Sequence, residues 1–260
     1  MNVVENEIWG ELRRLAIEEA EREPVLSGHL YDLVIRHRGY PEALAHLIAA
    51  GLAHHVFNLV AMLDLISETI ARNSHIVTAS LFDLKAIRER DPACESVLVP
   101  FLYYKGFKAL QGYRVAHVQW TQGRRGVARL LQSRIAEAFG MDVHPAAGIG
   151  QGVFVDHGTG VVIGETTVVE DDVSILQGVT LGGTGKETGD RHPKIRRGVM
   201  VGAGAVILGN IEVGEGSKVA AGSVVLKPVP PHTTVAGVPA KPVGRPSSEV
   251  PAFDMKQELD

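Results

Sequence analysis

The chain has 260 residues, 45% of them apolar, and its 26 Lys and Arg against 30 Asp and Glu leave a net charge of −4. The length fits one large or two modest domains, and the acidic balance argues against a nucleic-acid-binding protein built on a strong basic field. A single cysteine, Cys94, excludes an internal disulfide and a cysteine-rich metal site. The start lacks the features of a secretory signal, and the apolar run 43–63 contains histidines and an asparagine. That run predicts a buried helix in a cytoplasmic protein, with no membrane span.

The first half of the chain has the sequence signals of α-helices. Pro41, followed by helix-forming residues, fits the first turn of a helix. Ser80 with Asp83 resembles a capped helix start before further apolar positions. Apolar residues over 127–139 recur at helical spacing, and Gly140 stands where a C-terminal cap is expected.

The composition changes sharply near residue 140. Nine of the 29 glycines lie in residues 1–140 and twenty lie in 141–260. Of the seven Phe, five Tyr and two Trp, only Phe154 and Phe253 come after Gly140. A change of this size predicts a change of architecture at the same place.

The second half repeats with a period of six residues. The series has a two-residue slip after Val161 and a longer gap after Leu181, and each of its 14 positions is Val, Ile or Leu. A small residue often follows. The positions are Val143, Ile149, Val155, Val161, Ile163, Val169, Ile175, Leu181, Ile195, Val201, Ile207, Val213, Val219 and Val225.

A period of six fits neither an α-helix nor simple strand alternation. It fits a coil with three flat faces, in which the aliphatic residue points inward, glycine turns the corner and stacked strands pair at about 4.8 Å. The alternative is a β-sandwich, whose strands do not keep such a register. We therefore predict an α+β chain: an α-helical domain over 1–140, a parallel β-helix over 141–241, and a flexible tail over 242–260 that is rich in Pro, Ser and charge.

The longer gap in the repeat predicts an extruded loop. Leu181 and Ile195 are 14 residues apart where six would continue the coil, so residues 182–194 must leave it. Loops held by a rigid scaffold often carry function, and this one contains the adjacent pair Arg191 and His192.

Several segments together resemble the bacterial serine O-acetyltransferases of the hexapeptide-repeat acyltransferase superfamily. They are the hexapeptide array, MDVHPAAGIGQGVFVDHGTGVVIGE (141–165), GGTGKETGDRHPKI (182–195) and PPHTTVAGVPAK (230–241). The resemblance implies a left-handed β-helix, an exception to the usual right-handed crossover. It also implies transfer of acetyl from acetyl-CoA to the hydroxyl of L-serine, giving O-acetyl-L-serine for cysteine biosynthesis.

The implied chemistry needs a base, because an aliphatic alcohol is hardly ionised at neutral pH. The catalytic pair of the family maps onto His157 and Asp142, with the imidazole as base and the carboxylate orienting the ring. The logic is that of a serine-protease triad in which the hydroxyl belongs to the substrate. The two residues are 15 apart, close to one coil of 18, so they can lie on neighbouring edges.

The resemblance also implies the substrate contacts. Asp91 and Asp156 correspond to contacts with the ammonium group, and Arg191 to the carboxylate partner, since a guanidinium can grip a carboxylate with two hydrogen bonds. Further predicted substrate contacts are Pro92, Glu165 and His192.

Acetyl-CoA is the predicted co-substrate, and no metal is expected. Small residues on the loop and on successive coils leave a groove for the pantetheine arm, and a lysine near the end of the repeats is placed to meet phosphate. The predicted cofactor residues are Gly183, Thr184, Ala203, Ala221 and Lys241.

The resemblance predicts a homo-oligomer, a hexamer made of two trimers joined through the helical domains, with active sites between adjacent coils of a trimer. It predicts inhibition by L-cysteine, which has a thiol in place of the serine hydroxyl. Family tails can dock into O-acetylserine sulfhydrylase through a terminal isoleucine, whereas this sequence ends Glu258-Leu259-Asp260. The missing isoleucine puts that partner in doubt.

Three other functions remain open from the sequence. A coil of this type can acetylate another acceptor such as a sugar, although Arg191 with His192 favours an amino acid. A zinc lyase of the γ-carbonic anhydrase type would need three histidines, and His144, His157 and His192 are available. A non-catalytic scaffold would tolerate replacement of His157.

Overall fold

The structure is a computed structural model that describes residues 3–185 and 187–258. Helices fill the chain up to Phe139, and short strands begin at Asp142. A 3-10 turn at Pro24–Leu26 and a π-helical turn at Tyr31–Ile35 flank the second helix. The α-helices are α1 (Val3–Arg22), α2 (Ser27–Leu30), α3 (Tyr40–Leu52), α4 (Leu59–Arg72), α5 (His75–Arg90), α6 (Leu98–Tyr103), α7 (Lys105–Thr121), α8 (Arg125–Phe139) and α9 (Pro251–Asp254).

Two of the predicted helix signals are confirmed. Pro41 lies in the first turn of α3. Gly140 ends α8 in the left-handed conformation, with φ of 71° and its N–H donating to the Ala136 carbonyl. Glycine reaches this backbone region without a Cβ penalty, which explains why the helix ends there.

The prediction of one helix over 43–63 is wrong. The run is divided, because α3 ends at Leu52 and α4 begins after Asn58. The side chain of Asn58 accepts a hydrogen bond from the Ala61 N–H at 3.0 Å and caps the new helix. A capping asparagine therefore outweighs the continuous apolar composition.

The predicted helix start at Ser80 and Asp83 is also wrong. Both residues lie inside α5 and are fully buried. The Asp83 carboxylate accepts hydrogen bonds from Arg114 at 2.7 Å, Gln111 at 2.9 Å and the Val153 N–H at 3.0 Å. Asp83 is thus a buried tie between the helices and the first coil, since a buried charge needs such partners.

The strands form a left-handed parallel β-helix, as predicted. Its three faces are a five-stranded sheet (β1-β4-β7-β10-β13), a four-stranded sheet (β11-β8-β5-β2) and a six-stranded sheet (β15-β14-β12-β9-β6-β3). Among the described residues, all strand pairs are parallel except β14 with β15. The strands are β1 (Asp142–Val143), β2 (Gly148–Ile149), β3 (Phe154–Val155), β4 (Val162–Ile163), β5 (Val168–Val169), β6 (Ser174–Ile175), β7 (Thr180–Gly182), β8 (Lys194–Ile195), β9 (Met200–Val201), β10 (Val206–Leu208), β11 (Glu212–Val213), β12 (Lys218–Val219), β13 (Val224–Val225), β14 (Thr234–Gly237) and β15 (Ala240–Gly244).

The coils differ in length. Register partners on the five-stranded sheet are Asp142, Val162, Thr180, Val206 and Val224, so successive coils contain 20, 18, 26 and 18 residues. The long third coil contains the predicted loop, which leaves between β7 and β8. Of the 14 aliphatic positions, all but the half-buried Ile149 are buried, so the period of six marks the interior of the coil.

The predicted flexible tail contains ordered, packed segments. Strand β15 pairs with β14, and Ala252 in α9 is fully buried. The Ala252 N–H donates to the Gly198 carbonyl at 3.3 Å, and its carbonyl accepts from the Ser174 hydroxyl at 2.9 Å. The ring of Phe253 lies 4.6 Å from the Arg90 guanidinium. The Ser174 contact places Ala252 against β6 of the six-stranded sheet. Leu259 and Asp260 lie outside the described residues.

Candidate active site

The corner that carries His157 is two residues longer than its counterparts. Backbone hydrogen bonds align Asp156 with Leu176, and Thr159-Gly160 with Gln177-Gly178, in the next coil. Nothing in that coil matches His157-Gly158. These two residues account for the 20-residue coil, and they explain the two-residue slip in the hexapeptide series.

His157 adopts a backbone conformation that is rare for a residue with a side chain. Its φ is 55°, and the Gly158 N–H donates to the Asp156 carbonyl at 2.6 Å, which closes a three-residue turn around it. Non-glycine residues held at positive φ cluster at functional sites. The turn projects the imidazole outward, with 71% of the side chain exposed.

A cleft of about 350 Å³ lies between this corner and two helix ends. The C-terminus of α5 supplies one wall and the N-terminus of α7 another. A Cβ on Gly106 would lie only 2.1 Å from the Val155 carbonyl oxygen, so glycine allows α7 to approach β3 this closely. The residues lining the cleft are Asp91, Ala93, Tyr103, Tyr104, Lys105, Gly106, Asp156 and His157.

The cleft holds two carboxylates beside the imidazole. The Nε2 atom of His157 lies 3.8 Å from Oδ1 of Asp156. Burial raises the pKa of the Asp156 carboxyl above its usual value, the nearby His157 opposes this rise, and Asp91 adds to it. Two acidic groups in one partly buried cleft favour a cationic ligand between them.

The Asp91 carboxylate is held through both of its oxygens. Oδ1 accepts the Ala93 N–H and Oδ2 accepts the Tyr104 hydroxyl, both at 2.8 Å. Burial, together with the bond to Asp91, raises the pKa of the Tyr104 phenol, which keeps it protonated as a donor. Pro92 follows Asp91 at the end of α5 and is exposed.

A second polar group contains the remaining predicted substrate contacts. The Arg191 guanidinium donates to Oε2 of Glu165 at 2.8 Å, and this hydrogen bond lowers the pKa of the Glu165 carboxyl. His192 is buried, and burial lowers its pKa, as does Arg191. The Thr166 N–H donates to Nδ1 of His192 at 3.2 Å, so the neutral ring carries its proton on Nε2. A Cβ on Gly164 would lie 2.0 Å from the His192 ring, so only glycine leaves room for it.

Asp142 stands at the start of β1, in register with Val162 at the start of β4. Its Oδ1 accepts the side-chain amide of Gln132 at 2.7 Å. Two residues later, His144 packs against Trp120, with ring centroids 4.9 Å apart. Burial lowers the pKa of His144, while Glu165 and Asp142 oppose that shift. The acidic partner that the described chain gives to His157 is Asp156, so the pairing of Asp142 with His157 stays a prediction.

The two polar groups flank opposite ends of the strands of the five-stranded sheet. Asp156 and His157 come before β4, whereas Glu165 follows it and Arg191 with His192 precede β8. No hydrogen bond or ion pair among the described residues joins the two groups. One chain therefore brings Asp91, Asp156 and His157 together, and brings Glu165, Arg191 and His192 together elsewhere.

The predicted cofactor residues are similarly divided. Gly183 and Thr184 follow β7, while Ala203 and Ala221 stand one above the other at the corner where Thr159 and Gln177 also lie. Lys241 is exposed on β15. Small residues thus border the five-stranded sheet at both ends.

Sequence reasoning did not select Tyr104, and it named His144 only as a candidate zinc ligand. No local pattern marks Tyr104, because its partner Asp91 belongs to another helix. The two-residue slip after Val161 does mark the His157 corner by itself. Within residues 3–185 and 187–258, no group of three or more His, Cys, Asp or Glu is placed to hold a metal ion, and no helix is long and apolar enough to cross a membrane.

Known proteins resemble this chain over nearly its whole length. Residues 8–112 match the model of the serine acetyltransferase N-terminal region, and residues 192–227 match the bacterial transferase hexapeptide model. The serine acetyltransferase of Salmonella typhimurium is 50% identical over 97% of this chain and 93% of its own length. The chain belongs to the serine acetyltransferase family.

Solved structures agree with this assignment. The serine acetyltransferase of Vibrio cholerae has a TM-score of 0.97 and 53% identity, covering 98% of this chain and 99% of its own. A serine acetyltransferase in complex with cysteine has a TM-score of 0.95 and 50% identity, with the same coverage. The Brucella abortus serine acetyltransferase in complex with coenzyme A has a TM-score of 0.91 and 49% identity, covering 92% of this chain and 96% of its own.

Proposed function

We propose that this chain transfers the acetyl group of acetyl-CoA to the hydroxyl of L-serine, with His157 as the general base. The observation that carries the proposal is the exposed imidazole on an inserted, positive-φ corner, beside Asp156 and facing Asp91 across a cleft. The relatives that bear the name serine acetyltransferase, and their complexes with coenzyme A and with cysteine, support the same substrates.

The reaction follows from the chemistry of these groups. Neutral His157 removes the proton from the serine hydroxyl as its oxygen attacks the thioester carbonyl. The tetrahedral intermediate collapses, the C–S bond breaks, and the imidazolium returns its proton to the leaving CoA thiolate. A positioned base of this kind contributes about 10²- to 10⁴-fold to the rate.

The substrate contacts are proposed from charge complementarity. Asp91 and Asp156 bind the serine ammonium, and Arg191 with His192 binds its carboxylate, supported by Glu165 and by the position of Pro92. Gly183, Thr184, Ala203, Ala221 and Lys241 line the acetyl-CoA path. Asp142 orients the base.

Because the two polar groups are apart in one chain, we propose that neighbouring subunits of a trimer share each site, and that two trimers form a hexamer. A complementation experiment tests the shared site. His157→Ala and Arg191→Ala subunits are each inactive alone, and random mixed trimers should regain about a quarter of wild-type activity, the fraction of interfaces with both halves intact. Mixtures that stay inactive would contradict sharing.

The activity itself is tested by thiol release from acetyl-CoA with a panel of acceptors. L-Serine should be the preferred acceptor, and His157→Ala should lower kcat by about 10²-fold or more. A preference for a sugar, or an unchanged His157→Ala rate, would overturn the assignment to L-serine or the role of the base, respectively.

Three further expectations belong to this proposal. L-Cysteine, which differs from serine in one atom, should inhibit by competing for the same contacts, and unchanged initial rates at millimolar cysteine would contradict this. A cytoplasmic location follows from the use of acetyl-CoA. Docking of the tail into O-acetylserine sulfhydrylase is the third expectation.

A further inference from the structure

Asp91 faces the cleft from the end of α5, and its side chain is held from a second element. The local bond from the Ala93 N–H reaches Oδ1 only two residues along the chain. The bond from the Tyr104 hydroxyl reaches Oδ2 across thirteen residues, from the start of α7. Tyr104 therefore fixes the orientation of the carboxylate relative to the rest of the site.

Tyr104 is itself fixed to the strand that carries the base. It is the N-cap residue of α7, and its carbonyl accepts the Lys108 N–H at 3.2 Å. Two residues later, the close contact between Gly106 and the Val155 carbonyl locks α7 against β3. Val155 is followed directly by Asp156 and His157. Through its hydrogen bond, Tyr104 therefore fixes the position of the Asp91 carboxylate relative to these two residues.

The chemistry of the phenol suits this role. Lysine or arginine at this position would neutralise Asp91, whereas a neutral hydroxyl orients the carboxylate and leaves its charge for a ligand. The high pKa of Tyr104 keeps the proton on the phenol, so it stays a donor to the carboxylate.

We propose that Tyr104 is a positioning residue for the amino group of the substrate: its hydroxyl holds the Asp91 carboxylate opposite Asp156, so that the two together bind the substrate ammonium. This inference rests on the proposed function and adds a residue to the serine site.

The test compares two acceptors in the thiol-release assay, using the full chain. L-Serine carries an ammonium, and 3-hydroxypropionate has the same hydroxyl and carboxylate without it. Tyr104→Phe should raise the KM for L-serine about 10- to 100-fold, the size expected for a lost hydrogen bond to a charged group, with kcat within about twofold. Its kcat/KM for 3-hydroxypropionate and its KM for acetyl-CoA should be unchanged.

Tyr113→Phe is the matched structural control. The Tyr113 hydroxyl also leaves from α7, but it is buried and donates to the Ala147 carbonyl of the first coil. Its loss should lower Tm without changing the ratio of kcat/KM between the two acceptors. Tyr104→Phe could instead lower kcat/KM for both acceptors by the same factor, or leave the KM for L-serine unchanged. Either result would show that Tyr104 is not a positioning residue for the amino group.

The wild-type enzyme separates the two ways of failing. No thiol release with L-serine from the wild type would overturn the proposed function, and this inference with it. If the wild type is active with L-serine and Tyr104→Phe leaves the KM for L-serine unchanged, only this inference is overturned. L-Cysteine gives a second readout, because its ammonium should lose affinity by the same factor as that of serine.

Discussion

The first and fourth coils of the β-helix have the same three-faced plan and differ at one corner. In the fourth coil, residues 206–223, the corner before the next strand is Ala221-Gly222, and the positive φ falls on glycine. In the first coil, residues 142–161, that corner contains the extra pair His157-Gly158, and a positive φ falls on histidine. The regular corner stabilises the stack, whereas the irregular corner accepts strain of about 1–3 kcal/mol and presents a reactive side chain.

The largest effect is expected when the irregular corner is given glycine, the residue that has the positive φ at the regular corner. His157→Gly removes the base and relieves the positive φ, so kcat should fall by about 10²- to 10⁴-fold while Tm is maintained or rises. Thiol-release rates and thermal unfolding measure the two effects.

His232→Gly is the control for that change. His232 also has a positive φ, 51°, but it lies at the last corner of the β-helix, outside the residues that line the cleft. Its replacement should leave kcat unchanged. A Tm that falls equally in both variants would show that positive φ carries no strain at these corners.

A second test asks whether the loop histidine depends on a glycine of the coil. Gly164→Ala places a methyl group within 2.0 Å of the His192 ring and must displace it. We expect kcat/KM for L-serine to fall by about tenfold or more, with a loss of about 1–3 kcal/mol in stability. Gly148→Ala is the matched control, because no atom of the described residues lies within 4 Å of the added carbon. Equal activity of the two variants would argue against a role for the position of His192.

A third test concerns the tail that covers the β-helix. Phe253→Ala removes the ring 4.6 Å from the Arg90 guanidinium, whose side chain is only 3% exposed. The free energy of unfolding should fall by about 0.5–2 kcal/mol, because a cation–π contact is lost. Phe82→Ala, a similarly exposed phenylalanine on α5, is the control and should cost less. A larger loss from Phe82→Ala would indicate that the tail contributes little.

The smallest expected effect is a stability gain at the first coil. The raised pKa of Asp156 means that the folded protein resists ionisation of this carboxyl, so the charge destabilises the fold above the usual Asp pKa of about 4. Asp156→Asn should therefore raise Tm at neutral pH by about 2–4 °C or less, while weakening serine binding.

The Tm difference between Asp156→Asn and the wild type should depend on pH. Below the usual Asp pKa both states are protonated, and the Tm advantage of Asp156→Asn should vanish. It should grow as pH rises through the raised folded-state pKa and then stay constant. A lower Tm for Asp156→Asn at neutral pH would mean that attraction to His157 outweighs burial and Asp91.

The sequence by itself determined the repeating part of this protein. The six-residue period is local, because each coil needs an inward aliphatic residue at the same step, so Val143 to Val225 could be assigned without tertiary information. The same holds for the end of α8 at Gly140, which depends on one residue at positive φ. The resemblance of its motifs then indicated the family and the chemistry of His157.

Only the tertiary structure decided how these parts meet. Three contacts join elements whose separation along the chain follows no period. They are the Asp83–Arg114 ion pair, the Tyr104–Asp91 hydrogen bond and the cation–π contact of Phe253 with Arg90. The geometry of these contacts depends on how the helices pack against the folded β-helix. A buried carboxylate inside α5 therefore looked like a helix cap. Composition records what a segment can bury, but only the packed neighbours decide whether it does so.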